Sequence, residues 1–295
     1  VADQRDGGIA WTDETWNPIR GCSRVSPGCE NCYAERVAAR FSGKGQPYEG
    51  LAEMHNGKPR WTRKARLVPE KLAEPLRWKR ARRIFVNSTS DLFHETLSVE
   101  DIARIWAVML LAPHHTYQVL TKRPHFMRAT LTNPSFYQRV LRAAEPLRAR
   151  WPELTGIGIS DPTNFPAKWI WLGVSVEDQQ RADERIPLLL NTPAAVRFIS
   201  AEPLLGPVDL GALMTRSVPF PPPTRGRRFV SLDWVIAGAE SGPGARAMSE
   251  DWVRSLRDQC AEAGVSFFLK QFATATGKKI SLPVLDGKQH AEFPS

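Results

Sequence analysis

A chain of 295 residues, 42% hydrophobic and 24% charged, has the composition of a globular protein with one large domain or two small ones. No apolar run is long enough to cross a bilayer, so no membrane partner is expected. The net charge of +9 and the pI near 9.6 point to an anionic partner, with nucleic acid foremost.

Residues 1–8 are polar, and a first strand is expected over about 9–14, around Trp11, Asp13 and Glu14. It runs into Gly21–Ala34, which holds three of the four cysteines, Cys22, Cys29 and Cys32, as C-x6-C-x2-C. Thiolates are soft ligands suited to Fe–S clusters or zinc. Gly21, Pro27 and Gly28 suit a loop bent around something small. Three ligands without a close fourth suggest a metal site with one position open. Structural zinc usually takes four ligands in two pairs, whereas here one C-x2-C and one further cysteine stand without a nearby histidine. An Fe–S cluster with an open iron, zinc, and a purely structural loop all remain readings. Disulfides belong to oxidising compartments and small secreted domains. The N-terminus shows no secretory pattern, so a cytoplasmic protein is expected. Cys260 lies in a helical pattern with Trp252, Val253 and Leu256 and reads as a small buried hydrophobe.

A short helix is expected over 33–41 and a loop over 42–60, where glycines fall at 43, 45, 50 and 57. From Arg60 to Arg83 come ten Lys or Arg against two acids, Glu70 and Glu74, a net +8 that nearly equals the excess of the whole chain. Arg60, Arg63, Lys64, Arg66, Lys79, Arg80 and Arg82, interleaved with Trp61 and Trp78, suit phosphates and stacked bases. The plainer reading is a solvated helix whose Leu67, Leu72, Leu76 and Trp78 face the core.

Beyond it, strands are expected over about 84–90, 116–122, 169–177, 195–202, 232–240 and 265–272. Helices are expected over 98–111 with Ser98 as N-cap, over 124–150 with a break near Asn133–Pro134, and over 181–190 and 250–263. Residues 151–168 and 206–229 read as irregular insertions, the second with Pro219, Pro221, Pro222, Pro223, Arg225, Arg227 and Arg228; the tail 273–295 has no clear pattern. Strands alternating with helices imply parallel βαβ units. The fold class is therefore α/β, a full or partial (β/α) barrel in a single domain over 1–295, with an open doubly wound sheet as the alternative.

Barrels place their sites at the C-terminal ends of the strands. Ser175 and Glu177 share a strand face, as do Ser200 and Glu202, and Gly238 and Glu240. Lys122 and Lys270 end two further strands, and Asn87, Thr89 and Asp91 line up on another, beside Ser88. Carboxylates and ammonium groups at one mouth could hold a zwitterion; the alternative is that they pair with one another at the rim.

A three-cysteine loop after the first strand of a β/α chain resembles the radical S-adenosylmethionine enzymes. More narrowly, the segments 16–34, 84–91, 118–123, 171–177, 200–205, 235–244 and 267–272 resemble a phage- and prophage-associated family with an uncharacterised domain, regarded as radical-SAM-like. The resemblance implies a barrel of the radical-SAM type and a [4Fe–4S] cluster on Cys22, Cys29 and Cys32. The open iron would be chelated by S-adenosylmethionine, whose one-electron cleavage gives a 5′-deoxyadenosyl radical. Ser88, Thr89, Asp91, Lys122, Ser175, Glu177, Glu202, Glu240 and Lys270 are then the cofactor-binding candidates. Tyr33 and Cys260 are the only candidates for a catalytic relay, and an external electron donor is required. The superfamily's usual spacing is C-x3-C-x2-C, and its Gly-Gly-Glu after the second strand is replaced here by Ser88-Thr89-Ser90-Asp91. The leading expectation is a radical-SAM-like enzyme that repairs or modifies nucleic acid. The alternatives are a non-catalytic Fe–S or zinc protein that binds or senses nucleic acid, and a radical enzyme with a protein or small-molecule substrate.

Overall fold

The computed structural model describes residues 8–154, 166–219 and 227–294. The chain forms two compact units, one of Thr12–Trp171 with Pro193–Ala195, the other of the segment up to Trp11, Leu172–Thr192 and the chain from Val196 onward. Both are α/β, with mostly parallel strands alternating with helices.

The first unit contains β1 (Glu14–Trp16), β2 (Ile19–Arg20), α1 (Tyr33–Arg40), β3 (Ala52–His55), β4 (Lys58–Trp61), β5 (Arg66–Leu67), α2 (Pro69–Leu72), α3 (Glu74–Arg77), β6 (Arg83–Val86), α4 (Val99–Leu111), β7 (Thr116–Thr121), α5 (Pro124–Leu131) and α6 (Phe136–Arg150). Strand β6 lies between β1 and β7, parallel to both. Helix α4 starts where expected because the Ser98 hydroxyl accepts the Asp101 amide at 3.0 Å. Its Ile102, Ile105, Trp106 and Met109 are buried, and Trp106 meets Phe136 of α6 edge-on, with ring centroids 5.9 Å apart.

Three expectations in this unit are corrected. The first strand begins at Glu14 rather than near residue 9. The strand expected over 84–90 stops at Val86, because Asn87 takes a left-handed φ of 61° that no strand residue holds. Residues 42–60 are not all loop: β3 and β4 pair as an antiparallel hairpin about Asn56 and Gly57, both at positive φ. In the basic segment there is no long helix, only β5 and two four-residue helical turns, each opening on a proline at its first or second position.

The strand β8 (Ile170–Ser175) begins at the boundary of the units. The second unit continues with α7 (Gln179–Leu190), β9 (Val196–Ala201), β10 (Thr215–Pro219), β11 (Arg227–Ser231), β12 (Trp234–Gly238), α8 (Glu250–Ala263), β13 (Ser266–Ala273), β14 (Lys279–Ser281), β15 (Val284–Leu285) and β16 (Lys288–Gln289). Its sheet runs β8-β9-β12-β13-β14, parallel at β9–β12 and β12–β13 and antiparallel at β13–β14. Fully buried Trp234 is the hub of this core, with the rings of Phe198, Phe268 and Phe293 5.7, 6.0 and 5.2 Å away. Gly173 is needed in β8 because a Cβ there would stand 2.5 Å from the Phe198 ring. Helix α8 ends at Gly264 in the left-handed conformation, a glycine C-cap.

The insertion expected over 151–168 falls mostly at 155–165, outside the described residues, as do Pro221, Pro222, Pro223 and Arg225 of the second excursion. That excursion is framed by the β10–β11 hairpin. The tail supplies β14 and the β15–β16 hairpin. No helix among the described residues is long and apolar enough to cross a membrane.

Candidate metal centre

The cysteine loop hangs between β2 and α1. Its entry is fixed at Ile19, whose amide donates to Asn87 Oδ1 at 3.2 Å. Gly21 follows at φ 90°, and any Cβ there would overlap the Lys64 carbonyl. Gly21→Ala is accordingly expected to destabilise the unit by more than the roughly 1–2 kcal/mol of a left-handed non-glycine residue alone. Thermal denaturation of the apoprotein measures this, and an unchanged melting temperature would show that the loop does not depend on the close approach. Further on, Pro27–Cys29 forms a 3-10 turn closed by the Cys29 amide on the Ser26 carbonyl, and Cys32 immediately precedes α1.

Cys22, Cys29 and Cys32 are all free thiols and partly exposed as residues. Cys22 and Cys32 pack against one apolar cluster of Ala34, Ala38, Ala52 and Trp61. Burial pushes the Cys22 thiol up to about 12; Arg123 opposes this, and the charges of Asp91, Cys32 and Cys29 add to it. Burial also raises Cys32, against the Glu35 amide, Lys122 and the Ala34 amide. Loss of these protons therefore needs a strong electrophile such as a metal. Among the described residues no group of three or more His, Cys, Asp or Glu side chains is gathered tightly enough to grip a metal as it stands. The sulfurs nevertheless sense one another electrostatically. Their chemistry fits a cluster or a soft cation, and gripping one requires them to close in.

The loop's surroundings are polar and tightly bonded. Arg123, 2% exposed, donates from Nη1 to Asp91 Oδ2 at 3.0 Å and stands 4.0 Å from Cys22 Sγ. Its Nε reaches Glu95 Oε2 at 2.6 Å, and its Nη2 reaches Ser23 Oγ at 2.6 Å and the Ser23 carbonyl at 3.2 Å. Ser23 Oγ donates to Glu95 Oε1 at 2.8 Å and lies 3.1 Å from His94 Nε2. Burial works against the Glu95 charge, but its own amide, Arg123 and Ser23 hold the carboxyl down to about 2. On the other side, buried Glu35 accepts Arg24 and the Trp61 amide, tying the loop to α1 and the hairpin.

The other candidates in this unit sit close by, held by different partners. Ser88 and Thr89 follow β6 in a turn rather than lining a strand face, and both donate to Asn17 Oδ1 at 3.1 Å. Asp91 accepts Thr121 Oγ1 at 2.7 Å and the Lys122 amide at 3.0 Å. The Lys122 ammonium is felt at Cys32. Tyr33 is half-exposed and donates to the Ser88 carbonyl. Arg123, Glu95, Ser23 and His94 escaped the sequence reading. The signals were there: Arg123 follows the strand-ending Lys122, and Asp91, His94 and Glu95 share one turn.

In the second unit the strand-end carboxylates have basic partners. Glu177, fully buried, accepts Arg185 Nη1 at 2.9 Å, and the same Nη1 holds the Ser175 carbonyl at 2.8 Å. Glu202 pairs with Lys270. Glu240 accepts Arg246 Nη2 at 2.6 Å, Nε at 3.0 Å and the Arg246 amide at 2.9 Å. Cys260 is fully buried beside Val253 and Leu256 on α8, and burial pushes its thiol up to about 12.

The basic segment in the first unit divides. Arg63, Lys64, Arg66, Lys79 and Arg80 are exposed. Arg60 is half-buried in the hairpin, opposite Glu53. Arg82 pairs with Glu14 at 2.7 Å and lies over the Trp78 ring, 5.1 Å from its centroid. Trp61 is buried in the cluster beneath the cysteine loop.

No curated protein and no solved structure matches this chain. A family model described as protein of unknown function (DUF5131) matches residues 6–294, and the chain belongs to that family.

Proposed function

We propose that this chain is a radical-SAM-like enzyme that uses a [4Fe–4S] cluster on Cys22, Cys29 and Cys32 to act on nucleic acid. The observation that carries the reading is the single loop with three free thiols and no histidine, set among cations. Parallel strands alternating with helices are the pattern that a partial β/α barrel of the radical-SAM type requires. With an electron from an external donor, the cluster and S-adenosylmethionine supply cleavage of the cofactor's C5′–S bond and hydrogen abstraction from a substrate.

The chain's own residues have distinct tasks in this scheme. The three cysteines hold three irons and leave the fourth for the amino and carboxylate groups of the cofactor. Lys122, whose charge reaches Cys32, offsets the negative charge of the thiolates. Ser88 and Thr89, fixed by Asn17, and Tyr33, fixed on Ser88, hold the wall of the site in place. Exposed Arg63, Lys64, Arg66, Lys79 and Arg80 neutralise substrate phosphates.

The test is anaerobic reconstitution followed by incubation with dithionite, S-adenosylmethionine, and DNA or RNA. 5′-Deoxyadenosine is expected, with binding that weakens steeply as salt rises and a shallower salt slope after replacement of Lys79 and Arg80. A protein that retains zinc and no iron would instead support the non-catalytic reading, to which the ungathered state of the sulfurs is also suited.

A further inference from the structure

We infer that Arg123 is a positioning residue that sets the charge felt at Cys22 and, through it, the reduction potential of the cluster. This rests on the function proposed above. Its motive is the excess of constraint on one buried side chain. A guanidinium is satisfied by one well-placed carboxylate. Arg123 instead meets two, Asp91 and Glu95, and both oxygens of Ser23, the residue next to Cys22. Its first partner is fixed in turn, since Asp91 accepts Thr121 Oγ1, the Lys122 amide and the Phe93 amide. The cation therefore cannot swing away, and one of its Nη1 hydrogens faces Cys22 Sγ at 4.0 Å.

Arginine suits this task because its charge does not leave. Burial opposes that charge, but Asp91, Cys22 and Glu95 outweigh it and hold the guanidinium protonated above its usual range. A fixed positive charge beside a sulfur ligand favours the state with one more electron, and hydrogen bonds to the sulfurs act in the same direction. Glu95 opposes it: one carboxylate oxygen holds Arg123 and the other holds Ser23. The pair thus acts as a cation with a partial counterweight, and the two side chains should move the potential in opposite directions.

The experiment is an EPR-monitored redox titration of the full reconstituted chain and of Arg123→Gln, Arg123→Lys and Glu95→Gln, with iron content and thermal stability measured on each. Arg123→Gln is expected to lower the midpoint by at least about 59 mV, a tenfold change for one electron. Glu95→Gln is expected to raise it, and Arg123→Lys, which keeps the charge but loses the fork, to shift it less than Arg123→Gln. A merely structural arginine would lower the stability of both Arg123 variants and leave every midpoint where it was, which would overturn the inference. Should Arg123→Gln fail to fold, the Glu95→Gln midpoint decides alone, because Glu95 is partly exposed and glutamine keeps its hydrogen-bonding capacity. Iron bound with unmoved midpoints sinks this inference and spares the proposed function; a wild-type chain that takes up no iron sinks both.

Discussion

Replacing any one of Cys22, Cys29 or Cys32 with serine is expected to reduce the iron retained after anaerobic reconstitution to background, while Cys260→Ala keeps the wild-type content. A three-thiolate site has no spare donor, and an alcohol oxygen is a poor substitute for a soft sulfur. Cys22 and Cys32 also sit against the Ala34–Ala38–Ala52–Trp61 cluster, where little else could reach in as a replacement ligand. Cys260 belongs to a separate environment, buried on α8 with a thiol pushed up to about 12. In the apoprotein it should resist alkylating reagents at neutral pH until the chain is unfolded. Iron analysis with the visible absorption of the cluster checks the first part, and mass mapping of alkylated peptides the second. If a loop variant binds iron as the wild type does, the three-thiolate centre is wrong. If Cys260→Ala loses iron, a fourth protein ligand has been overlooked.

Most of the regular elements are legible in the sequence because local chemistry and tertiary structure agree. Ser98 caps α4 through the Asp101 amide, and Gly264 ends α8 in the left-handed region. What stays hidden has particular physical causes. The glycines between 42 and 60 read as loop, yet Asn56–Gly57 is the dipeptide that closes a tight hairpin, with φ of 49° and 72°. Asp286–Gly287, at 50° and 81°, does the same in the unplaced tail. Strand β6 ends early because Asn87 turns left-handed, and its Oδ1 then receives the Ile19 amide at the entry to the cysteine loop. In the site, the cysteines and Asp91 are visible from residue type and spacing. Arg123 is not, because its importance lies in partners 28 to 101 residues away along the chain. No periodicity records such distances.

The Glu177–Arg185 pair gives the second large effect, and it separates a structural carboxylate from a ligand-binding one. Glu177 is fully buried just beyond the end of β8, and Arg185, on α7, is nearly so. Removing one member of a buried pair strands the other charge, which typically costs about 3–5 kcal/mol, although the intact pair need contribute little net stability. Glu177→Ala is therefore expected to destabilise the protein by about that amount, read from denaturant unfolding. Glu177→Gln, which keeps an acceptor for Arg185, should cost less. The double variant Glu177→Leu with Arg185→Met should recover much of the loss, because an apolar pair of similar volume leaves no charge stranded. A carboxylate kept for a ligand gives the opposite pattern: a near-neutral or stabilising Glu177→Ala, and no coupling to Arg185 in the double variant. That outcome would return Glu177 to the cofactor-binding candidates and would mean that Arg185 is held by the Ser175 carbonyl alone.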